Sequence, residues 1–282
     1  MEDILIPNAE YVQNVIAKMS AQGGQFFHIV ADFDRTLTKA FVDGKPRSSL
    51  ESILEWEGLL GLEYSKKAKA NFDKYYPIEI NPNVSLEDKK VAMQEWRTVQ
   101  FKLMLDSWLT KDVIQKTMQS EKVIFRSWYE IFFATLENND IPLVVFSASG
   151  LWYEGVSCWL QSINAMTENI HIISNNFIWD TSGKAIWIQE PIIHSFNKNE
   201  TTIKTFPFYQ EIASRKNIIL LWDSPGDVHM ADGFDYENII KIWFLNNDTP
   251  ELRKLFQEKY DVVILNDGSM DWINDLIKKI IN

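Results

Sequence analysis

Short apolar runs rich in β-branched residues recur along the chain and end in small or acidic residues: FFHIVADF (26–33), IPLVVFSAS (141–149), NIILLWDS (217–224), NIIKIWFL (238–245) and DVVILND (261–267). They are continuous and not alternating, the pattern of strands covered on both faces, and the stretches between them carry helical spacing. The pattern predicts an α/β fold: a doubly wound parallel sheet of Rossmann-like type. In such a sheet ligands sit beyond the carboxyl ends of the strands, where Asp32, Ser147 and Asp223 fall.

Between the first two runs the texture changes. Residues 42–138 are charged, rich in Lys and Glu, and helically patterned, so they read as a helical cap domain inserted into a core formed by 1–41 and 139–282. Ser85 and Asp88 form a capping-box-like start for a helix over 86–106, with Trp96, Val99 and Leu103 on its apolar face. Tyr129, Phe132, Phe133 and Leu136 form a second stripe, and both stripes read as core packing. A Gly-bearing turn at Thr181 to Lys184, between two apolar runs, predicts a hairpin.

Composition narrows the class. The 282 residues include 11 Trp, 17 Phe and 9 Tyr, enough buriable surface to exclude disorder as the main state. Cys158 is the only cysteine, which excludes an intramolecular disulfide and a cysteine-rich zinc site. The opening MEDILIPNAEYVQNV lacks the basic and apolar regions of a secretion signal, and no stretch approaches the roughly 18 apolar residues of a spanning helix, so a cytoplasmic protein is expected. A net charge of −11 disfavours nucleic-acid polymers and anionic membranes as partners. Small anions remain open, because a metal ion and one or two local cations outweigh a screened global field.

The sharpest chemical signal is Asp32-Phe33-Asp34-Arg35-Thr36, directly after the first strand. Two carboxylates so close at a strand end repel unless a cation sits between them, and magnesium, which takes few protein carboxylates, suits that place. Either carboxylate alone also suits a turn or a helix cap. Asp223-Ser224-Pro225-Gly226-Asp227 follows a later strand, so Asp223 can reach the same rim, with Asp227 as a ligand through water or a supporting acid. Ser147, Ala148 and Ser149 end another strand before a helical pattern, where backbone N–H groups can approach an anion. Lys198, between Asn197 and Asn199, can neutralise phosphate charge or be an ordinary surface group. The histidines show no ligand spacing and read as structural.

The order of these signals, strand-DxDxT, strand-Ser, Lys, strand-DSxGD, resembles the haloacid dehalogenase (HAD) superfamily of phosphatases. ADFDRTLT, DKYYPIEINP, VFSAS, HSFNKNE, NIILLWDSPGDVHMADG and YDVVILND are similar to stretches of the cytosolic 5′-nucleotidase III (pyrimidine 5′-nucleotidase) family. The resemblance implies a Mg²⁺-dependent phosphomonoesterase that cleaves nucleoside 5′-monophosphates through an aspartyl-phosphate. Asp32 matches the nucleophile, and Asp34 matches the general acid/base, whose backbone carbonyl is also a metal ligand. Asp223 matches a further metal ligand, Asp227 a supporting acid and Lys198 the phosphate-neutralising lysine. Ser147, Ala148 and Ser149 match the phosphate turn, and Glu79 the glutamate that contacts the base. The implied partner is a small pyrimidine or modified-purine nucleotide, handled by a monomer or weak homo-oligomer.

Trp222 and Ser149 stand where the family has glycines, Gln100 where it has a serine near the base, Glu51 where it has a base-stacking histidine or aromatic, and Arg35 where it has a methionine. These departures leave two rivals open: a HAD phosphatase for another small phosphomonoester, and a nearly inactive binding protein. As a strand residue Trp222 is expected to point away from the face that Asp223 uses.

Overall fold

The structure is a computed structural model. It describes residues 4–46, 49–81, 83–118, 124–148, 152–198, 203–204, 206–224, 230, 235–250, 252–253 and 260–282; of Leu50, Trp56, Glu57 and Trp152 it describes the backbone only.

In chain order the elements are β1 (Ile4–Leu5), α1 (Ala9–Gln22), β2 (Phe27–Ala31), β3 (Phe41–Val42), β4 (Lys45–Pro46), α2 (Leu50–Glu57), α3 (Leu62–Ile80), α4 (Leu86–Asp106), α5 (Lys111–Met118) and α6 (Tyr129–Asn138). There follow β5 (Leu143–Phe146), α7 (Trp152–Ser162), β6 (Ile170–Ile173), β7 (Phe177–Trp179), β8 (Ala185–Ile188), α8 (Tyr209–Ala213), β9 (Asn217–Trp222), β10 (Asn238–Leu245), β11 (Val262–Leu265) and α9 (Asp271–Ile281).

Among the described residues the main sheet has seven strands in the order β1-β11-β10-β9-β2-β5-β6. All neighbours pair parallel except β1, which runs antiparallel to β11 at one edge. The doubly wound parallel sheet is thus present with one short antiparallel edge. Each of the five apolar runs forms one of its strands. β6 was not foreseen: His171 interrupts its apolar run, and an edge strand tolerates that half-buried polar residue. The chain runs outward from β2 to β5 and β6, then returns to β9 and runs outward through β10 and β11. The reversal leaves a crevice at the carboxyl ends of β2 and β9.

Successive residues of the buried strands enter two apolar layers. Ile219 and Leu221 join one layer with Phe27, Ile29, Ala31, Leu143 and Val145, while Ile218, Leu220 and Trp222 join the other with Val30, Val144 and Phe146. Both faces being covered is why the strands are continuously apolar. The first layer is closed by α1, α6, α7 and α9 and continues into the cap through Tyr64, Ala68, Phe101 and Met104.

The helix expected over 86–106 is α4, and the Ser85 Oγ accepts the Asp88 N–H at 3.1 Å. Its apolar face differs from the expected one: Met93, Trp96, Gln100, Phe101 and Met104 are buried, while Val99 is 43% exposed. The face turns because Gln100, polar in the sequence, finds buried partners in Tyr64 and Asn71. The stripe at Phe132, Phe133 and Leu136 is buried on α6, but α6 packs with α9 of the core, and Asn274 Nδ2 donates to Trp128 O at 3.1 Å. The hairpin is β7–β8, with Gly183 at φ 80° and Asp180 Oδ1 accepting the N–H groups of Ser182 and Lys184. None of the described helices is long and apolar enough to cross a membrane.

Candidate active site

Asp32 is the first residue beyond β2, and its N–H still donates across the ladder to Leu221 O at 3.0 Å. The next residues turn tightly: the N–H groups of Leu37 and Thr38 both reach Phe33 O, at 3.1 and 3.2 Å, and the Arg35 N–H donates to Thr38 Oγ1 at 2.8 Å. Arg35 takes a left-handed backbone at φ 62°, uncommon without glycine. Asp34, half-buried, sits inside this turn.

Lys198 Nζ donates to Asp32 Oδ1 at 2.5 Å, and both residues are buried. Its approach is braced by asparagines. Asn175 binds Ile193 through both backbone groups, at 3.0 and 2.7 Å, while Asn197 accepts the His194 N–H at 2.7 Å and donates to Ile192 O at 2.8 Å. Sequence reasoning missed Asn175; nothing in its local context separates it from a turn asparagine.

Asp223 is the first residue beyond β9, on the strand beside β2, and its Oδ2 accepts Asn246 Nδ2 at 3.3 Å. Ser147 and Ala148 follow β5, the neighbour of β2 on the other side; both are buried, and the Ser147 N–H is bound to Ile173 O at 2.9 Å. Asp32, Asp223, Ser147 and Ala148 therefore share one rim of the sheet. Ser149 and Asp227 lie outside the described residues. Among the described residues no three His, Cys, Asp or Glu side chains are arranged to hold a metal ion.

A cavity of about 390 Å³ opens in the cap beside this rim, within the range of small-molecule sites. Its walls include Arg35 of the turn after Asp32, together with Glu51, Glu55, Phe72, Trp96, Arg97 and Gln100. Glu51 is tied to Arg97 at 2.6 Å instead of being free to face a ring. Burial, then the neighbouring Glu51 charge, pushes the Glu55 carboxyl up to about 7. Burial and the nearby Arg97 and Lys90 charges hold the His194 imidazole down at about 4. Glu79 is not part of this wall. Its Oε1 accepts Ser195 Oγ at 2.5 Å and its main-chain carbonyl accepts Lys89 Nζ at 2.7 Å, so it joins the cap to the turn that carries Lys198. A second cavity of about 510 Å³, at edge strand β6, contains none of the sequence-predicted site residues.

The sequence model of the pyrimidine 5′-nucleotidase (UMPH-1) family matches residues 35–281. The chain belongs to this family. Relatives named 7-methylguanosine phosphate-specific 5′-nucleotidase include form A of Xenopus laevis, 32% identical over 282 residues and covering 98% of this chain and 95% of that one. The Homo sapiens protein of that name is 32% identical over 280 residues, covering 99% and 92%. The solved structure of cytosolic 5′-nucleotidase IIIB bound to cytidine superimposes with a TM-score of 0.87 at 29% identity, over 99% of this chain and 94% of that one. A phospho-aspartyl intermediate analogue of phosphoserine phosphatase shares the fold, with a TM-score of 0.53 at 16% identity over 89% of this chain and 98% of that one. The core is therefore HAD-like, and this 5′-nucleotidase is a phosphomonoesterase.

Trp222, the bulky residue just before Asp223, does not crowd the rim. It is fully buried in the apolar layer opposite Leu221, with its ring 6.0 Å from Trp243 and 5.5 Å from Tyr260.

Proposed function

We propose that this 5′-nucleotidase removes phosphate from pyrimidine or methylated-purine nucleoside 5′-monophosphates, using Mg²⁺ and a phosphoryl group carried transiently on Asp32. The observation that carries the reading is the buried Lys198–Asp32 pair at the crevice of the sheet, with the cap cavity beginning at Arg35.

The donors at the rim suit a hard cation with few protein ligands: the carboxylates of Asp32 and Asp223 and the main-chain carbonyl of Asp34; the resemblance adds Asp227 as a supporting acid. When bound, Mg²⁺ cancels charge between carboxylate and phosphate. Asp32 Oδ attacks phosphorus and the bond to the ester oxygen breaks. Asp34 gives its proton to that leaving oxygen, then takes a proton from the water that attacks the same phosphorus, so the bond to Asp32 breaks and inorganic phosphate leaves. Lys198 neutralises the phosphate, and the Ser147, Ala148 and Ser149 turn offers it donors.

The ribose and base would lie in the cap cavity, with Phe72 and Trp96 as apolar walls. Glu79, outside the walls of that cavity and bound to Ser195 Oγ through Oε1, is matched to a base contact by the family resemblance alone. Support for a nucleotide comes from the names of the relatives and from the cytidine in the similar structure. A relative named putative cytosolic 5′-nucleotidase 3 supports a cytoplasmic setting.

The test is a panel of nucleoside monophosphates and sugar phosphates, with and without Mg²⁺, for the wild type and Asp32→Asn. Turnover should be confined to nucleotides, require the metal and vanish in the variant. Robust turnover by Asp32→Asn sinks the mechanism, and indifference between nucleotides and sugar phosphates sinks the substrate class.

A further inference from the structure

Among the described residues near the rim, one side chain that the reaction does not use engages partners from several segments. Arg126 is wholly buried, at the point where the chain returns from the cap. Its N–H donates to Leu37 O at 3.1 Å, and the Lys39 N–H donates to Ile124 O at 2.7 Å, so the returning strand of chain lies against the one leaving the Asp32 turn. From there the guanidinium reaches under the turn. Nε donates to Thr36 O at 2.6 Å, Nη1 to Gly268 O at 2.6 Å, and Nη2 to Arg35 O and to Asn246 Oδ1, the latter at 2.7 Å. Asp267 balances the charge at 3.1 Å, and the group stacks 3.8 Å from the Phe244 ring.

Asn246 completes a bridge. While its oxygen accepts Arg126, its Nδ2 donates to Arg35 O at 3.0 Å and to Asp223 Oδ2 at 3.3 Å. The turn containing Asp34 and the carboxylate beyond β9 are thereby joined through one planar cation and one amide. Only arginine offers several N–H donors in a fixed fork that spans carbonyls from separate segments. The Arg35 carbonyl, on a left-handed backbone that needs holding, receives two of these donors.

We infer that Arg126, acting through Asn246, is the positioning residue that fixes the Asp34 turn against Asp223 and so sets the affinity of the rim for its divalent cation. The inference rests on the metal-dependent reading proposed above. Substrate touches neither residue in that reading, so the effect belongs to metal affinity and not to nucleotide KM.

The experiment titrates Mg²⁺ against wild type, Asn246→Ala and Arg126→Lys, reading the unfolding temperature without substrate and then kcat and KM with it. Partners that orient metal ligands typically change affinity about 10–100-fold. We therefore expect the Mg²⁺ midpoint of both variants to rise by at least roughly tenfold, with nucleotide KM unchanged and lost turnover recovered by added metal. If Arg126→Lys fails to fold, Asn246→Ala, at a half-exposed position, decides alone. A wild-type midpoint retained in Asn246→Ala overturns the inference and leaves the function standing. A wild type whose unfolding temperature and turnover both ignore Mg²⁺ overturns the metal-dependent reading and this inference together.

Discussion

Lys198 Nζ and Asp32 Oδ1, 166 residues apart in the chain, meet at 2.5 Å with the two residues only 3% and 7% exposed. Removing one partner of such a buried pair costs roughly 3–5 kcal/mol. Lys198→Gln should lower kcat by about 10²–10³-fold, the usual cost of losing one preorganised donor to developing charge. Steady-state kinetics on folded variant checks this, and a fall of less than about fivefold would remove Lys198 from the chemistry.

A second buried pair sits in the cap cavity. Glu51 and Arg97 are bound at 2.6 Å with side chains 11% and 15% exposed, and both line the cavity. Arg97→Met takes the guanidinium away from a carboxylate beside Glu55, so it should destabilise the fold by about 3 kcal/mol, whereas Glu51→Gln with Arg97→Met together should cost clearly less. Urea unfolding of the two singles and the double measures the coupling. Additive costs would mean that the pair is solvated in solution.

How far the site was legible in the sequence follows from how local each signal is. Asp32, Ser147 and Asp223 are legible because each ends a continuous apolar strand, and the order of strands in a doubly wound sheet brings such ends to one rim. Lys198 was found only through the order of the motifs, since a lone lysine has no local signature. Arg126, Asn246 and Asn175 were missed for a physical reason. Their partners are main-chain carbonyls and amides from distant segments, and nothing in a sequence marks which carbonyl will lack a donor. Periodicity likewise gives α6 as a helix with a buried stripe, but periodicity says which face is covered and not what covers it. On α4 the buried face includes Gln100, and a polar residue in a sequence does not mark a buried position.

Trp222 is the departure that most threatened the reading, and the structure turns it into a stability prediction. The indole lies in the layer shared with Trp243 and Tyr260, one residue before Asp223 and facing away from the rim. Trp222→Ala should cost about 3–5 kcal/mol by leaving a cavity in that layer, while the Mg²⁺ midpoint of the folded fraction stays near that of the wild type. Denaturant unfolding alongside metal titration separates the two effects. A gain of activity on truncation would show the indole obstructing the site after all.

The last prediction concerns pH and uses groups with opposite signs. Burial, followed by the Glu51 charge, raises the Glu55 carboxyl from 4.5 to about 7. Between those values folded Glu55 keeps a proton that the unfolded chain has lost, so the stability it contributes is full below about 4.5 and disappears as pH rises through 7. Burial lowers the His28 and His194 imidazoles from 6.5 to about 3 and about 4. Below 6.5 the unfolded chain binds protons that these folded residues refuse, so their contribution is lost as pH falls towards 4 and 3. Glu55→Gln removes only the first slope. Its unfolding free energy relative to wild type should improve by about 1–2 kcal/mol between pH 5 and pH 8, less than the full shift because the half-exposed carboxylate is screened by solvent. The acid limb below pH 6 should persist in the variant, since His28 and His194 are untouched by the substitution. Urea unfolding at pH 5, 6.5 and 8 provides the comparison, and a difference between variant and wild type that stays constant across the three values would show Glu55 ionising normally in the folded protein.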